Sequence, residues 1–368
     1  MDFLSCNPFV AVIGGEYEIV LNAFENGIFA VKIGGNVYHE KNSGVLCSEK
    51  KYAKIRVPQS ALDAAGEYVV SYRKTIERVS YFSRFEDARE KRFSFRAVPK
   101  DNVRVYHIAD VHQRYETALK TASFFGGALD LFILNGDIGE VETEKDFFDV
   151  AKFAGDVTKG EIPVIFARGN HDARGKLAEK FTDYFPHNDM RLYYGFEVGP
   201  FAGAVFDCGE DKPDSRTVYA GANVFEPYRR EETEYLKTLA PDQSKIVFAV
   251  GHICPVQTTQ TAGDVFDIER DVYGAWSEEF RRMGVKFMLC GHIHKAYILR
   301  PNDERSLLKH DYPVIVGSAF REDGEVCGAA LTVNKNGMLV SFTDSERRVL
   351  ESYKIDFADK SVCGIEKE

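Results

Sequence analysis

The chain lacks the marks of several protein classes. Its 368 residues contain no uninterrupted apolar run near the roughly 20 residues needed to cross a bilayer, so no membrane-spanning helix is expected. Its seven cysteines, at 6, 47, 208, 254, 290, 327 and 363, are scattered, odd in number and form no C-x-x-C pair. That argues against a disulfide framework and for a reduced compartment. Positive charge is short: 47 Lys and Arg against 57 Asp and Glu leave a formal net charge of −10. A broad footprint for duplex nucleic acid or an anionic membrane is excluded on that balance, whereas a local basic pocket for one phosphate is not. Internal repeats and low-complexity segments are missing as well. The first residues, MDFLSCNPFV, show no basic n-region and no long apolar h-region, so a cytoplasmic location is the expectation.

What is present is ordinary globular material, 44% hydrophobic and 28% charged, in a chain long for one domain and comfortable for two. Residues 1–98 read as β. Short β-branched or aromatic runs at 16–21, 28–33, 53–57 and 67–72 are separated by Gly14-Gly15, Asn26-Gly27, Gly34-Gly35 and Asn42-Ser43-Gly44. This spacing predicts a small all-β sandwich of immunoglobulin or fibronectin type, ending in a linker at 97–102. Residues 99–368 alternate differently. Apolar runs at 103–109, 131–135, 163–167, 202–206, 246–250, 286–290 and 314–316 are interleaved with helical stretches near 115–125, 143–158, 176–185, 229–240 and 275–283. The alternation predicts α/β layering, with a hairpin about Asn336-Gly337 near the end. Thr143 is a candidate helix N-cap.

The chemistry stands where those runs stop. The first ends in Asp110-Val111-His112, the second in Asn135-Gly136-Asp137, the third in Arg168-Gly169-Asn170-His171-Asp172, and two later runs in Gly251-His252 and Gly291-His292-Ile293-His294. In open α/β sheets the ligand crevice lies beyond the carboxyl ends of the strands. Carboxylates, an amide and several imidazoles on one sheet edge suit borderline divalent metals. They are too many for one ion and enough for two ions about 3.5–4 Å apart, bridged by a shared carboxylate. Glycine before the polar residue lets the backbone turn sharply there. Taken singly, each histidine is more ordinarily a surface or core residue; the ordered set reverses that reading. His39, His187 and His310 have no motif around them and read as surface residues. His107 reads as core packing or an exposed strand edge rather than catalytic, and Trp276 as core or helix packing.

This ordered series resembles the calcineurin-like metallophosphoesterases across residues 103–320. The resemblance implies a four-layer α/β/β/α sandwich and a metal-dependent phosphoesterase, with a hydroxide bridging two divalent ions (Mn, Fe, Zn or Ni) as nucleophile. Carried over by position, Asp110, His112 and His294 hold the first ion, Asn170, His252 and His292 the second, and Asp137 bridges them. His171 protonates the leaving group and Asp172 orients it, while Arg114, Arg168 and Arg174 are candidates for contacting the phosphate. The layout with a β domain in front is similar to the purple acid phosphatases, but His112 stands where those enzymes have glycine and Glu140 where they have a tyrosine ligand. An Fe(III)–tyrosinate site is therefore not expected. The substrate expected is a small phosphodiester or organic phosphomonoester, selected by loops 173–200, 208–228 and 255–275. The alternatives are a nuclease of the same fold, which the acidic balance disfavours, and a silent interaction scaffold, which the filled motif positions disfavour.

Overall fold

The computed structural model describes residues 2–256, 265–320 and 324–365. Its centre is two β layers packed face to face, joined into one continuous sheet where Val314–Phe320 pairs with Val326–Asn334. In one, Val103–Ile108, Leu131–Asn135 and Pro163–Ala167 run parallel in that order, and Val326–Asn334 and Gly337–Thr343 continue it beyond the first strand. In the other, Phe201–Val205, Ile246–Val250, Phe287–Cys290 and Val314–Phe320 run parallel, edged by the antiparallel strands Tyr194–Val198 and Lys295–Leu299.

Alternation along each strand decides which layer a side chain joins. Leu131 and Ile133 point between the sheets and meet Val250, Leu289 and Ile315 there. Phe132 and Leu134 point outward, under the helices Tyr115–Ala122 and Glu144–Thr158. On the far side, Ala249 and Met288 pack against Trp276 and Phe280 of helix Arg270–Arg282 and Leu236 of helix Phe225–Thr238. Helix, sheet, sheet and helix are the four layers expected. Each fully buried Phe, Leu or Ile here contributes about 1.5–3 kcal/mol. Thr143 does cap its helix: Asp146 Oδ2 accepts from Thr143 N at 2.7 Å, closing a capping box.

The N-terminal region is rich in β, and its hydrogen bonding crosses the compositional change at residue 98. Strand Phe9–Ile13, which the sequence did not suggest, pairs in parallel with Pro163–Ala167. Glu16–Asn22 and Tyr52–Pro58 follow it outward, so three early strands extend the first central sheet. Gly27–Ile33, Asn36–Tyr38, Glu67–Glu77, Arg84–Phe85 and Arg89–Ser94 form a separate five-stranded sheet. Tyr68, Val70 and Tyr72, the alternating face read from the sequence, are buried in the same core as the intersheet residues.

Three helical expectations shift, the first being 275–283, which forms helix Arg270–Arg282 and so begins five residues early. The stretch 176–185 forms only the short turns Ala178–Lys180 and Phe181–Tyr184, because Phe181, Tyr184 and Phe185 turn into the aromatic cluster around Phe147 and Phe166. Helix Phe225–Thr238 begins four residues before 229, with Pro227 tolerated in its first turn where no intrahelical donor is needed. His310 is buried rather than on the surface, its Nδ1 facing Tyr312 O at 2.7 Å and its Nε2 facing Ser306 Oγ at 2.9 Å. His187 is half-buried, and burial with the nearby Lys54 and Arg56 charges lowers its pKa to about 4.

Candidate metal centre

All five motifs meet at the carboxyl ends of the central strands. Three sets of side chains are close enough to share an ion: Asp110, His112 and His294; Asp137, His252 and His292; and His112, Asp137 and His171. Asp137 belongs to two of them. His112 Nε2 lies 3.1 Å from His294 Nε2 and 3.9 Å from Asp137 Oδ2. His294 Nε2 is 3.4 Å from Asp110 Oδ1. Across the cluster, His252 Nε2 is 3.1 Å from Asp137 Oδ2, and Asn170 Oδ1 is 3.0 Å from His292 Nδ1.

The backbone is bent to make this possible. Asp110, His112, Asp137, His292 and His294 all have positive φ, between 44° and 74°. For residues with a Cβ this region costs about 1–2 kcal/mol each, and such strain is characteristic of functional sites. Gly136 and Gly169 let two of the turns nest: a Cβ on Gly136 would lie 2.5 Å from Gly169 Cα, and one on Gly169 would lie 2.1 Å from Asp137 Oδ1. Backbone amides then fix the carboxylates. Asp137 Oδ1 accepts from His171 N at 2.8 Å, and Asp110 Oδ2 accepts from His292 N at 2.9 Å.

The electrostatics call for added positive charge. Asp110 and Asp137 are buried, and among the described residues no Lys or Arg pairs with either; their ion-pair neighbours are imidazoles. Burial alone would raise the Asp137 carboxyl, but His252, His171 and His112 around it hold it well below the usual carboxylate range. Burial opposes a charge on His252, yet Asp137 and Asp110 lift its pKa to about 10. A proton on His252 is thus the cation the metal-free cluster recruits. Burial, with His252 adding to it, pushes His292 down to about 4. His252 Nδ1 faces Asn135 O at 2.7 Å, which leaves its buried Nε2 as the donor atom. An imidazole nitrogen 3.1 Å from one buried carboxylate and 3.6 Å from another, with no Lys or Arg pairing either among the described residues, fits a divalent cation.

The other site residues fall nearby in different roles. Asp172 Oδ2 accepts from Gly169 N at 2.8 Å and Asp137 N at 3.0 Å, bracing both turns; no hydrogen bond joins it to the His171 ring. Burial and the Asp137 charge raise Asp172 to about 7. The expected phosphate contact by Arg168 meets a guanidinium already bound to Asp207, at 2.6 Å, and set against the Phe225 and Tyr228 rings. Arg174 forms a two-pronged pair with Glu210, 2.6 Å on each arm, and brings Nη1 to 3.3 Å from His171 Nε2. Arg114 Nη1 donates to His112 O at 3.3 Å. Asp211 stands in the stretch Asp207 to Lys212 after an apolar run, is given no site role by the sequence, and has its Oδ2 3.7 Å from His292 Nε2. A cavity of about 490 Å³ opens beside Arg174, lined also by Lys176, Glu210, Lys212 and Tyr219. Of the loop 255–275, residues 257–264 lie outside the described residues.

The calcineurin-like phosphoesterase family model matches residues 103–296, which contain every motif above. The chain belongs to that family. It is a metal-dependent phosphoesterase with His and Asp clusters able to hold metal. A purple acid phosphatase from seeds of yellow lupin, Lupinus luteus, is similar in fold: TM-score 0.61 at 13% identity, over 95% of this chain and 74% of that one. PhoD is similar too, with a TM-score of 0.57 at 10% identity over 100% of this chain and 94% of its own. No curated protein sequence matches the chain. No helix among the described residues is long and apolar enough to cross a membrane.

Proposed function

We propose that this phosphoesterase works with two divalent cations sharing Asp137, and that its substrate is a small phosphodiester or organic phosphomonoester. The observation that supports the reading is two imidazole–carboxylate clusters, Asp110 with His112 and His294 and Asp137 with His252 and His292, linked by a third in which His112 is grouped with Asp137. Asp110, His112 and His294 would hold one ion and Asn170, His252 and His292 the other. Cations bound there supply Lewis-acid neutralisation of phosphoryl oxygens and lower the pKa of water in the site.

The chain's own groups do the rest. The amides of His171 and His292 keep both carboxylates aimed inward before substrate arrives, so no reorganisation is needed during reaction. His171 gives a proton to the departing oxygen. Arg174, anchored by Glu210, sets a guanidinium beside that oxygen. The 490 Å³ cavity next to Arg174 receives the leaving group, and its mixed lining suits an organic group of moderate polarity. Residues 1–98 act as a structural extension of the catalytic sheet rather than a source of catalytic groups. The metals are borderline divalent ions of the Mn, Fe, Zn and Ni type, as an oxygen and imidazole donor set favours.

Metal-stripped protein reloaded with Mn, Zn, Fe(II) or Ni and assayed on bis-p-nitrophenyl phosphate and p-nitrophenyl phosphate tests this. Metal-restored turnover that disappears in Asp137→Asn is the expected result, and the ratio of the two substrates then separates diesterase from monoesterase. Reloaded protein inert on both, and on a wider phosphoester panel, contradicts it.

A further inference from the structure

Asn135 sits at the end of strand Leu131–Asn135, fully buried, two residues before Asp137. Its side chain crosses to the facing sheet. Nδ2 lies 3.2 Å from Gly251 O and 3.3 Å from Leu289 O, and 2.9 Å from His107 Nε2. Gly251 immediately precedes His252, and Leu289 is the second-last residue of strand Phe287–Cys290, which turns into Gly291-His292. The Asn135 carbonyl also accepts from His252 Nδ1 at 2.7 Å. One residue therefore touches both strand ends that present the imidazoles grouped with Asp137, and it is joined to Asp137 through a single glycine.

The direction of the amide is fixed by what faces it. Two backbone carbonyls can only accept, so the nitrogen end must point at them. Burial lowers His107 to about 3, so its ring is neutral and can accept at Nε2. Asn135 Oδ1 is left buried with no hydrogen-bond partner. An orphan of that kind costs about 1–3 kcal/mol, a cost an apolar side chain would avoid. The position keeps an amide for its donors.

We propose that Asn135 is a positioning residue: its amide pins the two sheets together at the strand ends and thereby sets where His252 and His292 stand relative to Asp137. The inference rests on the reading of these three residues as ligands of one cation, and it assigns the geometry of that half of the centre to a side chain outside the ligand set.

The test is calorimetric titration of chelator-stripped, full-length protein with Mn(II), with thermal unfolding of the stripped protein alongside, for wild type, Asn135→Asp, Asn135→Ala and His107→Leu. Asn135→Asp keeps the size and turns an oxygen toward both carbonyls. Both Asn135 variants are expected to hold one ion as tightly as wild type and the other about 10–100-fold more weakly, the range for outer partners of metal ligands. His107→Leu, which keeps both carbonyl bonds, leaves both affinities unchanged. Asn135 variants that bind both ions like wild type overturn the inference. So does equal weakening of both ions in step with a lowered melting temperature, which marks a merely structural role. A wild type that takes up one ion contradicts the two-cation reading itself, and shows it before any variant is compared.

Discussion

Two buried polar clusters lie side by side in this molecule, and they are solved in opposite ways. Around helix Phe225–Thr238, Arg168 pairs with Asp207, Tyr228 donates to the same carboxylate at 2.8 Å, and Arg229 spends its donors on Cys208 O, Glu210 O and Glu269. The two arginines there each meet a carboxylate from the chain, Arg168 with Asp207 and Arg229 with Glu269. At the strand ends, two buried carboxylates have backbone amides and imidazoles as neighbours and, among the described residues, no Lys or Arg, and the backbone is held in the left-handed region at five ligand positions. Buried ion pairs that cancel internally hold a loop in place. Buried carboxylates that do not cancel reserve a place for a cation.

The contrast breaks most visibly through substitution in each cluster. Asp137→Asn removes the shared carboxylate, and turnover on bis-p-nitrophenyl phosphate is expected to fall on the order of 10³-fold, as when a preorganised charge-stabilising group is lost. The folded state should persist, checked by circular dichroism. Arg229→Ala should do the reverse. It leaves two buried carbonyls without their donor and Glu269 with only Arg230, so urea unfolding should show a loss of about 3 kcal/mol, while metal affinity of the folded fraction holds. Equal effects of both changes on metal binding would erase the distinction. The smallest effect concerns protons. With its folded pKa raised to about 10 against an ordinary 6.5, His252 carries a proton in the metal-free protein at neutral pH. That proton must leave when a cation takes Nε2. Metal affinity should therefore rise with pH up to about 10, and calorimetry at pH 7.5 in buffers of different ionisation enthalpy should report about one proton released.

Much of the site was legible because chemistry and punctuation coincide: an apolar run stops, a glycine turns the chain, and a ligand follows, as in Leu289-Cys290-Gly291-His292. Each motif is local, so spacing alone places it. What stayed hidden depends on pairings remote in sequence. Nothing in Phe9–Ile13 names Pro163–Ala167 as its partner, and nothing in the Asn135-Gly136-Asp137 run tells that the asparagine reaches Gly251 and Leu289. Asp172 was read by its neighbour in sequence, His171, whereas its carboxylate is claimed by two backbone amides brought near by the nested glycine turns. His310 lost its surface place to Ser306 and Tyr312 in a loop without a periodic pattern.

We propose that Asp137 would be held in common by two cations. Electron paramagnetic resonance of the Mn(II)-loaded protein tests it most directly, because two Mn(II) ions sharing a carboxylate are exchange-coupled. A coupled dinuclear spectrum is expected in wild type, collapsing to an isolated six-line mononuclear signal in Asp137→Asn. A wild-type spectrum of isolated ions, or a coupled spectrum that survives Asp137→Asn, would contradict it.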